Sequence, residues 1–163
     1  MRRKQRGFSL IELLVVVAVI LIISAIAVPR FLHARMAANE ASAAASIRSI
    51  NTSEAAYQST FGPGYASKLV DLSDGGAPSN CVFPTAPTAT SSCLIDSALA
   101  SGTKSGYVFT YTPTSTGAIV SQYAVNADPL GSGSSGQRHF YGDQSLVISY
   151  NAAAPASPSD PPI

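Results

Sequence analysis

From Phe8 to Val28 the chain is apolar at every position except Ser9, Glu12 and Ser24. At a rise of 1.5 Å per residue, such a run makes a helix of about 30 Å, enough to cross the hydrocarbon core of a bilayer. Beyond Pro29 the pattern changes to a stripe: Phe31, Leu32, Met36, Ala43, Ile47, Ile50, Tyr57 and Phe61 recur at spacings of three, four and seven. That is the period of one face of a helix. Arg35, Asn39, Glu40, Ser46, Arg48 and Glu54 fall between them and are expected on the wetter faces. The alanine-rich run 37–45 favours helix, and Gly62-Pro63-Gly64 ends it. One helix over 8–61 is therefore expected. Pro29 should bend it, because proline removes a ladder bond and crowds the preceding turn.

After residue 62 the periodicity weakens. Helical hints occur at Ala66–Leu72 and Leu94–Leu99, separated by the proline- and threonine-rich stretch 84–92. From Gly106 the period becomes two. Residues 107–111, 122–126, 139–141 and 146–150 alternate, with breaks at Pro113, Pro129 and Gly142-Asp143-Gln144. Four short strands with short connections predict an antiparallel meander. Its inner face would carry Tyr107, Phe109, Tyr111, Tyr123, Val125, Phe140, Leu146 and Ile148, covering the C-terminal half of the helix. The segment 152–163 holds four prolines and little to bury, so it is expected to be loose. The fold class is α+β, a long bent N-terminal helix packed by its C-terminal half on a four-stranded antiparallel sheet. The divisions are a leader over 1–7, the helix over 8–61 and a globular head over 62–163.

Composition sharpens this picture. Among 163 residues only 12% are charged, and the formal net charge is +1. Arg2, Arg3, Lys4 and Arg6 precede Gly7 with no acid among them, leaving six basic against nine acidic side chains, a formal −3, in the rest. That balance argues against coating nucleic acid, and no nucleic-acid partner is expected. The basic cluster before the apolar run places the N-terminus in the cytoplasm by the positive-inside rule.

An ordinary secretory signal cut after Ala27 is a rival, since Ala25-Ile26-Ala27 has the required small-residue form. Against it stand the length of the apolar run, the carboxylate of Glu12 within it, and a helical pattern that continues past residue 27.

Gly7-Phe8-Ser9-Leu10-Ile11-Glu12-Leu13, after a short basic leader and before an apolar helix with Pro29, resembles the N-terminus of a type IV prepilin. The resemblance covers about residues 1–60. It implies cleavage after Gly7 by a membrane-embedded prepilin peptidase, methylation of the new amino group on Phe8, and use of Glu12 in assembly. The implied partners are other copies of this chain in a helical filament, the peptidase, and assembly machinery in the inner membrane. The implied route is a single-pass precursor in the bacterial cytoplasmic membrane, then a cell-surface pilus. A type II secretion pseudopilin shares the leader, helix and carboxylate and remains the alternative. A secreted binding protein with an ordinary signal peptide is the further one.

The physics agrees with those roles. Cleavage before Phe8 creates a cation one helical turn from Glu12, and two such charges in a low-dielectric bundle each cost less when paired. Apolar surface that leaves the membrane can be shielded only by other copies of itself. No cofactor and no enzymatic activity are expected.

Cys81 and Cys93 flank the loop 84–92, and in an exported protein they are expected to form a disulfide worth roughly 3 kcal/mol. Gly131–Gly136 fits G-x-G-x-x-G, but Pro129 precedes it and a strand follows, so it reads as a hairpin loop, not a dinucleotide site. Asp128 and Asp143 bracket that loop and are weak calcium candidates, since pseudopilins bind calcium in a comparable loop and a calcium cage needs more oxygens than two carboxylates give. No other metal site is expected. His33 and His139 are isolated in the sequence, and Asn51-Thr52-Ser53, a glycosylation-like triplet, falls on the helix surface.

Overall fold

The computed structural model describes residues 8–82 and 85–163. The leader 1–7, including Gly7, lies outside the described residues. Helix α1 runs Leu10–Phe61 without interruption through Pro29. The chain divides into two compact units, Met1–Arg35 and Met36–Ile163.

In the described part of the first unit, every side chain from Phe8 to Arg35 is exposed except Ser24, which is half-buried. Leucine, isoleucine and valine thus face outward on all sides of the helix, a pattern stable in lipid or among like helices and not in water. It is the one described helix long and apolar enough to cross a membrane.

The second unit has a single apolar core. Ala43, Ile47, Ile50 and Tyr57 from α1 meet Tyr107, Phe109, Tyr123, Val125, Phe140 and Ile148 from the sheet, with Leu69, Leu72, Ile95 and Leu99 from the intervening segment. The helix stripe therefore has two fates: Phe31 and Leu32 stay exposed, while Met36, Ala43, Ile47, Ile50 and Tyr57 are buried. Gly62, at φ +111°, and Gly64, at φ +125°, turn the chain out of the helix in backbone conformations closed to ordinary side chains.

The sheet has five strands rather than the four expected: β1 Thr103–Lys104, β2 Tyr107–Thr116, β3 Ile119–Pro129, β4 His139–Asp143 and β5 Ile148–Asn151. All pair antiparallel in sequence order. The two-residue β1 is too short to leave a period. β2 passes through Pro113, which looked like a stop, because β1 pairs only with Tyr107 and Val108 and leaves the rest of that edge open to a residue lacking an N–H. Gly142 in β4 stands against α1: a methyl group there would come within 2.4 Å of the Ile47 side chain, so glycine sets how closely strand and helix approach.

The helical hints shrink to a 3-10 turn at Leu69–Leu72 and a one-turn helix α2, Ser97–Ala100, capped by the Asp96 side chain accepting from Leu99 N at 2.9 Å.

Two other expectations are corrected. Leu146 does not face the core: β5 begins at Ile148, and Leu146 sits in the preceding turn at φ +64° and 59% exposed. The segment 152–163 is not loose. Tyr150 N donates to Pro161 O and Ile163 N donates to Ile148 O, both at 3.0 Å, so the segment closes the free edge of β5. Asp160 holds it by accepting from Ser157 N and Asn151 Nδ2, and the Asn126 amide donates to Ala156 O. Prolines along that edge discourage further strand addition.

Candidate functional site

At the start of α1, Ser9 and Glu12 form half of a capping box. Ser9 N donates to Glu12 Oε2 at 3.0 Å, while Ser9 O accepts from Glu12 N and Leu13 N. The carboxylate thus lies at the positive end of the helix dipole, where negative charge is favoured. Phe8 is 81% exposed beside it. Ser9, read above only as a polar interruption, is the residue this cap serves; the S-x-x-E spacing of Ser9 and Glu12 is the signal that marks it. Pro29 lies inside the helix, where the bond its nitrogen would donate is missing.

In the second unit, the two glutamates expected on wet faces of the helix are buried. Glu40 is 8% exposed; its Oε1 accepts from Gln137 N at 2.9 Å and Arg138 N at 3.3 Å, and its Oε2 from Arg138 Nε at 2.7 Å. Burial pushes this carboxyl up, but the Gln137 and Arg138 hydrogen bonds outweigh it and hold it below the usual carboxylate value. Asn39 adds a bond to Ser135 O at 2.8 Å. The Gly131–Gly136 loop is therefore fastened to α1, and the Arg138 guanidinium lies 5.7 Å from the ring centres of Phe140 and Tyr150.

Glu54 is fully buried. Tyr111 donates its hydroxyl to Oε1 at 2.6 Å, and Ala66 N donates to Oε2 at 3.0 Å. Desolvation dominates here and raises the carboxyl; the bonds from Tyr111 and Ala66 oppose it, and Asp71 adds repulsion. Burial and the neighbouring Glu54 charge also push the Tyr111 hydroxyl well above its ordinary value. These contacts tie the C-terminal part of α1 to the segment after Gly64 and to β2.

Asn51 and Ser53 are likewise buried rather than on the helix surface, and only Thr52 of that triplet is exposed.

Cys81 and Cys93 are joined in a disulfide. The loop it closes is fixed on both sides: Ser92 N donates to Asp71 O, Cys93 N to Ser73 O, and the Tyr57 hydroxyl to Ala89 O.

The structure does not bring Asp128 and Asp143 together. Asp128 meets His139 Nδ1, so His139 is not isolated, while Asp143 accepts from the Tyr141 hydroxyl and Ser145 N. Among the described residues no three acidic, histidine or cysteine side chains are placed to hold a metal ion.

Residues 2–28 match the family model of the prokaryotic N-terminal methylation motif. No curated protein and no solved structure matches the chain.

Proposed function

From the premise that this chain carries a type IV pilin or pseudopilin prepilin-like N-terminus, we propose that it is the pilin subunit of a type IV pilus. The methylation motif belongs to structural proteins of that class, made as precursors for prepilin peptidase and built into filaments. The precursor is held in the inner membrane by residues 8–28, with its leader in the cytoplasm. Cleavage after Gly7 frees the amino group of Phe8 for methylation. Polymerisation then buries the apolar surface of the helix against other copies.

The observation that carries this reading is the motif on a helix whose apolar residues are exposed all round from Phe8 to Leu32. Such a surface needs lipid before assembly and neighbouring helices after it. The disulfide-closed loop and the serine-rich loops of the second unit favour a surface fibre over a periplasmic pseudopilus.

Glu12 is given a specific role. In the free subunit it caps its own helix. In the filament it neutralises the α-amino cation of an adjacent subunit's Phe8, since either charge alone is costly at low dielectric. Glutamine also serves at this capping position. Glu12→Gln therefore removes the charge and keeps the cap. Insertion and processing should persist while sheared filaments disappear. Filament yield equal to wild type, with processed subunit unchanged, would refute the role. Electron microscopy of cells with and without the chain separates a long surface fibre from a short periplasmic one.

A further inference from the structure

Glu54 belongs to a closed set of hydrogen-bonding groups whose protons do not add up if it is ionised. It has no exposed surface and pairs with no cation among the described residues. Tyr57 on its own helix, Tyr65, Lys68 and Asp71 on the segment after the turn, Tyr111 on β2 and Tyr123 on β3 are the titratable groups at this corner of the core. Asp143 on β4 adds a further negative charge near Tyr123. Lys68, the one cation of the set, is exposed and acts on Asp71. The Tyr57 and Tyr123 hydroxyls donate elsewhere, to Ala89 O and Asn51 Oδ1.

The Tyr111 hydroxyl has two oxygens in reach, Glu54 Oε1 at 2.6 Å and Ala66 O at 2.8 Å, but a single proton. Donation to Oε1 is one of two ways to place it. That way leaves the carbonyl of Ala66, a residue with no exposed surface, without a donor among the described residues. It also sets a buried charge near Asp71 with no cation to offset it. Donated to Ala66 O instead, the proton leaves the Tyr111 oxygen to accept, and Glu54 can donate to it only as the neutral acid. Ala66 N then donates to Oε2 at 3.0 Å, and every group in the ring is satisfied.

We propose that Glu54 is held as the neutral acid where exposed carboxylates are ionised, its proton closing a latch between α1, Ala66 and β2 that opens as pH rises. Desolvation, the main influence raising this carboxyl, works in the same direction. When the proton leaves to solvent, Tyr111 turns its own proton to the new charge and the Ala66 carbonyl is orphaned. Ala66 gives both of its backbone groups to the ring, so the charge reaches water by release of the chain at that residue. The flanking anchors remain, since Tyr65 N donates to Val120 O at 2.9 Å and Leu94 N and Ile95 N donate to Leu72 O. The opening is therefore local. The latch lies wholly within the second unit and holds whichever way the N-terminus is processed.

The test is infrared spectroscopy of the full chain in dodecyl maltoside, a detergent without carbonyl groups, at neutral pH in D2O. Subtracting the Glu54→Gln spectrum should leave the C=O stretch of a carboxylic acid, which disappears as pH is raised. A difference containing only carboxylate bands would overturn the proposal. Tyr111→Phe keeps Glu54 and serves even if Glu54→Gln does not fold: the acid band should persist and move to higher frequency, having lost its acceptor. An unmoved band would overturn the placement of the proton. Hydrogen exchange at the Ala66 amide reads the latch itself. Corrected for the intrinsic rate, it should accelerate about tenfold per pH unit above the Glu54 titration, the linkage of one proton. Glutamine can donate to Tyr111 and accept from Ala66 N without titrating, so Glu54→Gln should show no such acceleration. A flat wild type, or equal slopes in wild type and Glu54→Gln, would overturn the latch.

Discussion

Replacing Glu40 with glutamine isolates what the buried carboxylate does for the second unit. Three bonds are at stake: Gln137 N at 2.9 Å, Arg138 N at 3.3 Å and Arg138 Nε at 2.7 Å. Hydrogen bonds to a charged group contribute about 1.5–3 kcal/mol each when buried. The Arg138 side chain is 43% exposed, so its ion pair is screened and falls towards the ~0–1 kcal/mol of surface pairs. The long contact to Arg138 N counts for less than the short one. Glutamine keeps one acceptor for Gln137 N but turns a donor towards the guanidinium. The expected loss is about 2 kcal/mol, a fall in Tm of about 8 °C for a unit of this size.

All seven tyrosines lie between Tyr57 and Tyr150, so the tyrosine band in near-UV circular dichroism of the detergent-held full chain follows this unit. Arg138→Gln provides the comparison, costing about 1 kcal/mol through the screened pair and the contacts over Phe140 and Tyr150. The pH dependence has a definite sign. Because this carboxyl is held below its ordinary value of 4.5, its contribution is fully present above that pH and is lost as pH falls through the lower folded value. The gap between wild type and Glu40→Gln should therefore narrow below about pH 4. A loss under ~0.5 kcal/mol at neutral pH, or an Arg138→Gln loss as large as that of Glu40→Gln, would refute the reasoning.

Glu54 should behave with the opposite sign. Its carboxyl is raised above its ordinary value of 4.5, so its contribution is greatest below that pH and declines as pH rises through the folded value. Glu54→Gln should flatten this decline, to be read as Tm against pH, and an unchanged slope would contradict the assignment. Gly142→Ala should destabilise the second unit by about 1–3 kcal/mol, since the added methyl meets Ile47 at 2.4 Å; chemical denaturation that leaves the midpoint in place would show that helix and strand can separate freely.

Much of α1 was legible because its signals are local. Apolar length, the three-and-four spacing and the Gly-Pro-Gly stop each act within a few residues of where they are read. The same holds for the cores of β2 to β4 and for the Cys81–Cys93 pair. The burial of Glu40 and Glu54 was not legible, because their partners lie 98 and 57 residues further along the chain. Next to alanines and serines a glutamate reads as solvent-facing, and only the folded sheet brings Arg138 and Tyr111 to it. The closing segment misled for a related reason. Its prolines signal looseness alone, yet against the bare edge of β5 they suit a terminal cover that cannot be extended. Leu146 failed because alternation continues smoothly from Ile148 back to it, whereas the turn after Asp143 takes it out of the strand. At the N-terminus, glycine, phenylalanine and glutamate at fixed spacing were legible as the motif that residues 2–28 match, and Ser9 as a cap was the part overlooked.

The account rests on the chain being processed as a prepilin, so the mature N-terminus is its most direct test. Mass spectrometry of the protein isolated from its native membrane or sheared surface fraction reads that end without assuming a filament. The account predicts a chain beginning at an N-methylated Phe8, the whole apolar helix retained. A chain beginning at an unmodified Val28 would show an ordinary signal peptide. It would remove the helix on which every assembly argument depends.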